Sequence, residues 1–169
     1  QGVGFRRFVK KNALNLGLRG TVKNLPDGRV EAVVQGSKEN IKKLLGTMKI
    51  EYQDLGTHTT ASCDYPDFAH AVAESVSSNK SQCGILICGT GIGMAITANK
   101  HLGIRAANVE SKGAAIWARA HNDANILCIG ARLTDWETVA EIVKIFLSTA
   151  FEGGRHEMRV KKIHSLTNL

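Results

Sequence analysis

Cys88 is followed by glycine at positions 89, 91 and 93, within the stretch ILICGTGIGM (residues 85–94). A thiol is a weak acid whose anion serves as nucleophile or general base. Glycines at alternate positions let a loop backbone approach a ligand and aim N–H groups at an anion. A thiol heading such a loop, just before a helix, sits where its thiolate is favoured. The competing reading makes Cys88 the core residue that ends a buried strand, as Cys128 is expected to be in NILCIG. The dinucleotide fingerprint G-x-G-x-x-G/A fails from either starting glycine. Met94 and Ile96 stand where Gly or Ala is required, and no Walker lysine follows. The loop is therefore expected to hold an oxyanion or a small phosphorylated ligand rather than NAD or ATP.

Further chemistry-bearing residues lie downstream. His121 and Asn122 open HNDAN, just before an apolar run, and Arg132 follows that run. Arg155 and Arg159 are four apart and can share one helical face, a spacing suited to an anionic group. Taken singly, each would read as a solvated surface residue.

The elements that must position these residues are legible as alternation. EYQDLG (51–56) is strand-like. Asp64-Tyr65-Pro66 opens a helix with a capping residue and an early proline, its buried face Phe68, Val72 and Val76. CGILICG is a continuous apolar strand, as in a parallel sheet buried on both faces. A helix over about 93–100, a strand IRAANV, a helix through Trp117, a strand NILCIG and a helix over 136–147 follow. Strands alternating with helices predict a doubly wound α/β domain with its ligand site at a strand-to-helix turn.

With these motifs in order, residues 50–169 resemble the type B ribose-5-phosphate isomerases and the related galactose 6-phosphate and allose 6-phosphate isomerases. The resemblance rests on DLGTH…DYPDFA, GILICGTGIGM, ANK, GIRAA, HNDANILCIGAR and FEGGRHEMRV. It implies aldose–ketose isomerisation through an enediolate. Cys88 is then the base, and Thr90 with the backbone of Gly89, Gly91 and Gly93 forms the oxyanion hole. His121 opens the sugar ring, Asn122 and Tyr65 line the pocket, and Arg155, Arg159 and Arg132 bind phosphate. It also implies a homodimer with a shared site, a phosphorylated sugar as partner, and no cofactor or metal. One departure is expected. The family's first strand, an Asp-His loop and first helix have no counterpart here, because MKI (48–50) runs directly into EYQDLGTH.

Residues 1–49 form a different block. FRRFVKKNALNL (5–16) has helical spacing, and RGTVKN and RVEAVVQG read as strands joined by the turn LPDG. Ser37 can cap a helix through Ile41, Leu44 and Leu45. This α-β-β-α pattern, with QGVGFRRFV, resembles a truncated ferredoxin-like acylphosphatase. That resemblance implies a phosphate cradle at Gly2–Arg6 with Arg6 as key side chain, and a water held by Asn24. The expected architecture is thus a three-layer α/β/α, doubly wound, mostly parallel sheet preceded by this segment. Acyl-phosphate hydrolysis, or phosphate binding without turnover, are the alternative functions.

Composition narrows the classes. The chain has 169 residues and a net charge of +7. Residues 1–50 carry +8 and residues 51–169 carry −1. The basic residues are scattered and poorly interleaved with aromatics, which argues against a nucleic-acid surface. No apolar run approaches the roughly 18–20 residues of a membrane helix. Four cysteines without a C-x-x-C pair point to a reducing, cytoplasmic setting and away from zinc.

Overall fold

The computed structural model describes residues 19–24, 30–35, 37–59 and 61–167. The expected helix over 5–16, the turn LPDG and the Gly2–Arg6 cradle lie outside the described residues. The chain divides into two compact units, Gln1–Tyr52 and Gln53–Leu169.

In the first unit, β1 (Arg19–Asn24) pairs antiparallel with β2 (Val30–Gln35), Asn24 opposite Val30. Helix α1 (Ser37–Thr47) follows, with Ile41 and Leu45 buried one turn apart. It closes with the Ile50 N–H on the Leu45 carbonyl at 3.0 Å and Lys49 in the left-handed conformation, φ 56°.

The second unit is a parallel sheet flanked by helices. Its strands are β3 (Gly84–Cys88), β4 (Ala106–Asn108) and β5 (Ile126–Gly130), in the order β3-β5-β4. Helix α2 (Tyr65–Ser77) precedes β3, α3 (Ile92–Ala98) follows it, α4 (Lys112–Asn122) joins β4 to β5, and α5 (Trp136–Ser148) and α6 (Arg155–Thr167) end the chain. The β3-α3-β4 connection passes over β5, and β4-α4-β5 comes back. Crossovers of one hand running in opposite directions put their helices on opposite faces.

Side-chain alternation agrees. Leu86, Ile126 and Cys128 pack with Ala69, Ala73 and Val76 of α2 and Met94, Ala95 and Ala98 of α3. The intervening Leu127 and Ile129 are fully buried on the other face. There α5 supplies a buried stripe of Val139, Ile142, Val143 and Phe146, at helical spacing. Asp135 caps α5: its carboxylate accepts from the Thr138 N–H at 2.9 Å and hydroxyl at 2.8 Å. Those bonds hold the Asp135 carboxyl below its ordinary value.

One expected element is corrected. Residues 51–56 form no strand. A strand is defined by its ladder, and β3 pairs only with β5 among the described residues. The Gly56 N–H instead donates to Asp54 Oδ1 at 3.0 Å, a local turn that competes with extended pairing.

Leu127, fully buried on the central strand, tests this core. Leu127→Ala should cost about 2–5 kcal/mol, read as a lower urea midpoint. Leu102→Ala, at a side chain 65 % exposed, should leave the midpoint nearly unchanged.

Candidate active site

The sequence-selected residues fall into two groups at opposite ends of the sheet. Cys88 is the last residue of β3, so its thiol stands at the carboxyl end, where open α/β sheets bind ligands. The chain then turns through Gly89, Thr90 and Gly91 into α3. The Gly91 N–H donates to Cys88 Sγ at 3.1 Å. The sulfur thus accepts a backbone N–H at the mouth of the glycine loop.

The glycines are sterically required here. Gly91 has φ 77°, and a Cβ on it would overlap Asn108 Oδ1. A Cβ on Gly93 would come within 2.5 Å of the Tyr65 ring, so Tyr65 covers that glycine. A Cβ on Gly89 would press on the Arg132 guanidinium at 3.3 Å. Arg132 is held there because its N–H donates to the Gly89 carbonyl at 3.0 Å. Sequence reasoning missed Gly130: a Cβ there would lie 2.7 Å from the Thr90 carbonyl oxygen. The glycine directly after the NILCI run was the available signal. Cys88, Thr90, Gly89, Gly91, Gly93, Tyr65 and Arg132 are thus one constellation.

The two strand cysteines have separate fates. Cys88 is half-buried and Cys128 fully buried. Burial, then the neighbouring Cys88, pushes the Cys128 thiol up to about 12. Cys128 is a packing residue.

The second group sits at the amino end. His121 and Asn122 end α4, and Asn125 beyond them receives the Gly84 N–H at the start of β3, 2.9 Å. Arg105, before β4, binds Asp123 Oδ2 at 2.8 Å and the Asp123 carbonyl at 2.8 Å. The turn into α6 uses two left-handed glycines, Gly153 (φ 67°) and Gly154 (φ 56°). It is tied to α4 by the Glu152 N–H on the Ala120 carbonyl at 3.0 Å. Arg155 and Arg159 begin α6 and are exposed, and Arg155 Nε donates to His156 Nε2 at 3.4 Å. The Asn122 amide is engaged by the Trp117 carbonyl at 3.0 Å.

The His121 ring packs on Trp117, tilted with centroids 4.5 Å apart, and on His156, stacked with centroids 4.0 Å apart and planes at 10°. Glu152 Oε2 is 3.5 Å from His121 Nε2 and 3.8 Å from His156 Nε2. His156 is buried, and burial followed by His121 and the two arginines lowers its pKa, so it is neutral at pH 7. The three ligand atoms lie within 4.8 Å of one another. Arg155 and Arg159 adjoin this trio, a charge environment unfavourable to a cation. Neither Glu152 nor His156 was selected from sequence, although both stand in the FEGGRH motif.

From Gly84 to Cys88 the strand advances four steps, about 13 Å. Within one chain the thiol loop and the His121–Arg155 group therefore do not meet. Asn24 ends β1 in the other unit. Arg6 lies outside the described residues.

Comparison with known proteins defines the class. The Ribose/Galactose Isomerase family profile matches residues 31–163, reaching back across β2 and α1. An acylphosphatase profile matches residues 1–59. A putative sugar phosphate isomerase, YwlF of Bacillus subtilis, is 49 % identical over 127 residues, covering 75 % of this chain and 85 % of that protein. Ribose-5-phosphate isomerase B of Escherichia coli is 42 % identical over 117 residues, covering 69 % and 78 %. The structure of Clostridium thermocellum ribose-5-phosphate isomerase B superposes with a TM-score of 0.76 at 45 % identity, covering 78 % and 88 %. That of Mycoplasma genitalium, with bound ribulose-5-phosphate, gives 0.74 at 43 %, also covering 78 % and 88 %. The chain belongs to the Ribose/Galactose Isomerase family, and its α/β fold is that of the solved ribose-5-phosphate isomerases B.

The thiol environments predict selective chemistry. At pH 8 a thiol of pKa about 12 is ionised in only about one molecule in ten thousand. Brief iodoacetamide treatment of native protein, followed by peptide mass mapping, should label Cys88 and the exposed Cys63 and leave Cys128 unmodified. Unfolding in urea should expose Cys128 to the reagent.

Proposed function

We propose that the chain interconverts ribose 5-phosphate and ribulose 5-phosphate, with Cys88 as the base. The observation that carries this reading is the Cys88 thiol at the carboxyl end of β3, receiving the Gly91 N–H at 3.1 Å. Family membership supplies the reaction class.

The chemistry assigned to these residues balances as follows. The C1–O4 bond of the furanose breaks as His121 takes the C1 hydroxyl proton, and the ring oxygen takes a proton from solvent. The Cys88 thiolate takes the C2 proton, and that bond's electrons form the C1–C2 double bond while the carbonyl pair moves onto O1. Thr90 and the loop N–H groups stabilise the enediolate. A proton passes from O2 to O1, and Cys88 returns its proton to C1, leaving the ketone at C2. Arg155, Arg159 and Arg132 neutralise the phosphate.

A site of this kind needs two copies of the chain, the thiol loop of one facing His121 and Arg155 of the other. Exposed apolar residues stand beside both groups and support this. Ile92 and Ile96 lie one turn apart on α3 after the thiol loop, 51 % and 59 % exposed, and Trp117 against His121 is 53 % exposed. A homodimer is therefore part of the proposal. So is a reducing, cytoplasmic setting, supported by four free cysteines. No helix among the described residues is long and apolar enough to cross a membrane.

We further propose that residues 1–49 and 50–169 are an acylphosphatase-like segment and an isomerase domain. The acylphosphatase match over residues 1–59 supports a second reading, hydrolysis of acyl phosphates through Arg6 and Asn24. Benzoyl phosphate hydrolysis that Arg6→Ala abolishes is its test.

The principal test is ribose 5-phosphate isomerisation by the purified chain. Cys88→Ala should lower kcat by roughly a thousandfold or more, while Arg155→Ala should raise KM about tenfold. Turnover unaffected by Cys88→Ala would remove the thiol from the mechanism.

A further inference from the structure

The proton positions in the His121–Glu152–His156 trio can be assigned by elimination. His156 Nε2 accepts from Arg155 Nε at 3.4 Å, so it carries no proton in the neutral ring. His156 then has nothing on Nε2 to give to Glu152. His121 Nε2 stands 3.5 Å from Glu152 Oε2, at ion-pair distance, and is the ring nitrogen that can face that carboxylate with a proton. The neutral His121 ring accordingly holds its proton on Nε2, and Nδ1 is its uncommitted nitrogen. A carboxylate or carbonyl on one ring nitrogen is the ordinary means of fixing which tautomer the other presents.

Both the carboxylate and the rings are anchored. The Glu152 backbone N–H is bound to the Ala120 carbonyl at 3.0 Å, one residue before His121, so loop and helix end move together. The ring centroids of His121 and His156 lie 4.0 Å apart with the planes at 10°, and the Trp117 ring packs on His121 at 4.5 Å, tilted by 37°. Stacking restricts tilt of the ring and the carboxylate restricts its spin. Arg155 shares His156, so the same contacts tie a cation assigned to phosphate to the ring assigned to opening the sugar.

We propose that Glu152 is a positioning residue for ring opening: it holds the His121 imidazole in one orientation and one tautomer, with the His156 ring stacked on it. This rests on the reading of His121 as the ring-opening residue, and it names a residue that acts through His121 rather than on the substrate.

The experiment compares the wild-type chain with Glu152→Ala and Glu152→Gln. The glutamate side chain is 56 % exposed and its anchoring bond is from the backbone, so both variants retain the fold. Long-range proton–nitrogen correlation of 15N-labelled protein at pH 8 reads the His121 tautomer, the resonance assigned by its loss in His121→Gln. The wild type should show a single tautomer protonated at Nε2. Glu152→Gln should preserve it, because an amide oxygen still accepts, while Glu152→Ala should populate the Nδ1–H form. In parallel, Glu152→Ala should lower kcat for ribose 5-phosphate about tenfold with KM within about twofold, and Glu152→Gln should recover most of that loss. An unchanged His121 pattern in Glu152→Ala, or a wild-type ring protonated at Nδ1, overturns the assignment. A wild-type chain without isomerase activity would sink the functional reading alone, since the tautomer measurement needs no turnover.

Discussion

A parallel sheet has two unlike ends, and the rest of this molecule depends on that polarity. Every strand of the β3-β5-β4 sheet delivers its last residue to one end and receives its helix back at the other. Cys88 closes β3 and belongs to the first end. His121 closes α4 and belongs to the second. No rotamer change spans the length of a strand. The proposed chemistry therefore calls for the two ends of two molecules to face each other. Exposed Ile92, Ile96 and Trp117 beside the two groups are the apolar surface such a meeting would cover.

At the carboxyl end the local physics is close approach. The Arg132 guanidinium, the Asn108 amide, the Tyr65 ring and the Thr90 backbone crowd the thiol loop, and each contact is permitted by a missing Cβ at Gly89, Gly91, Gly93 or Gly130. The result is a sulfur that receives a backbone N–H without being sealed from solvent. Cys128, two residues before Gly130 on the adjacent strand, has the same chemistry but no access, and burial silences it. Position relative to the strand end separates the thiol proposed as base from a packing residue.

Much of this was legible in the sequence because the signals are local. GILIC and NILCIG are apolar runs of strand length, and Asp64 with Pro66 and the stripe at Val139–Phe146 mark helices by capping and period. The thiol loop was legible because glycine spacing reports backbone approach directly. EYQDLG was misread because a strand exists through its neighbour, and composition carries no information about whether that neighbour is present. Glu152 and His156 were missed for a related reason. Their role arises from a loop folding onto the end of α4, and nothing in the spacing of FEGGRH and HNDAN states that the two motifs touch. The division of the selected residues between the sheet ends was also invisible until the strand order was known.

Subunit complementation is the measurement that bears most directly on this account. Cys88→Ala and His121→Asn chains would be purified separately, unfolded together in equal amounts, refolded and assayed with ribose 5-phosphate. If each site takes its thiol from one chain and its imidazole from the other, mixed dimers carry one intact site, and the mixture should recover about a quarter of wild-type activity. Each variant refolded alone should remain inactive. A mixture no more active than the separate variants, from protein shown by native mass spectrometry with one chain 15N-labelled to contain mixed dimers, would contradict the shared site.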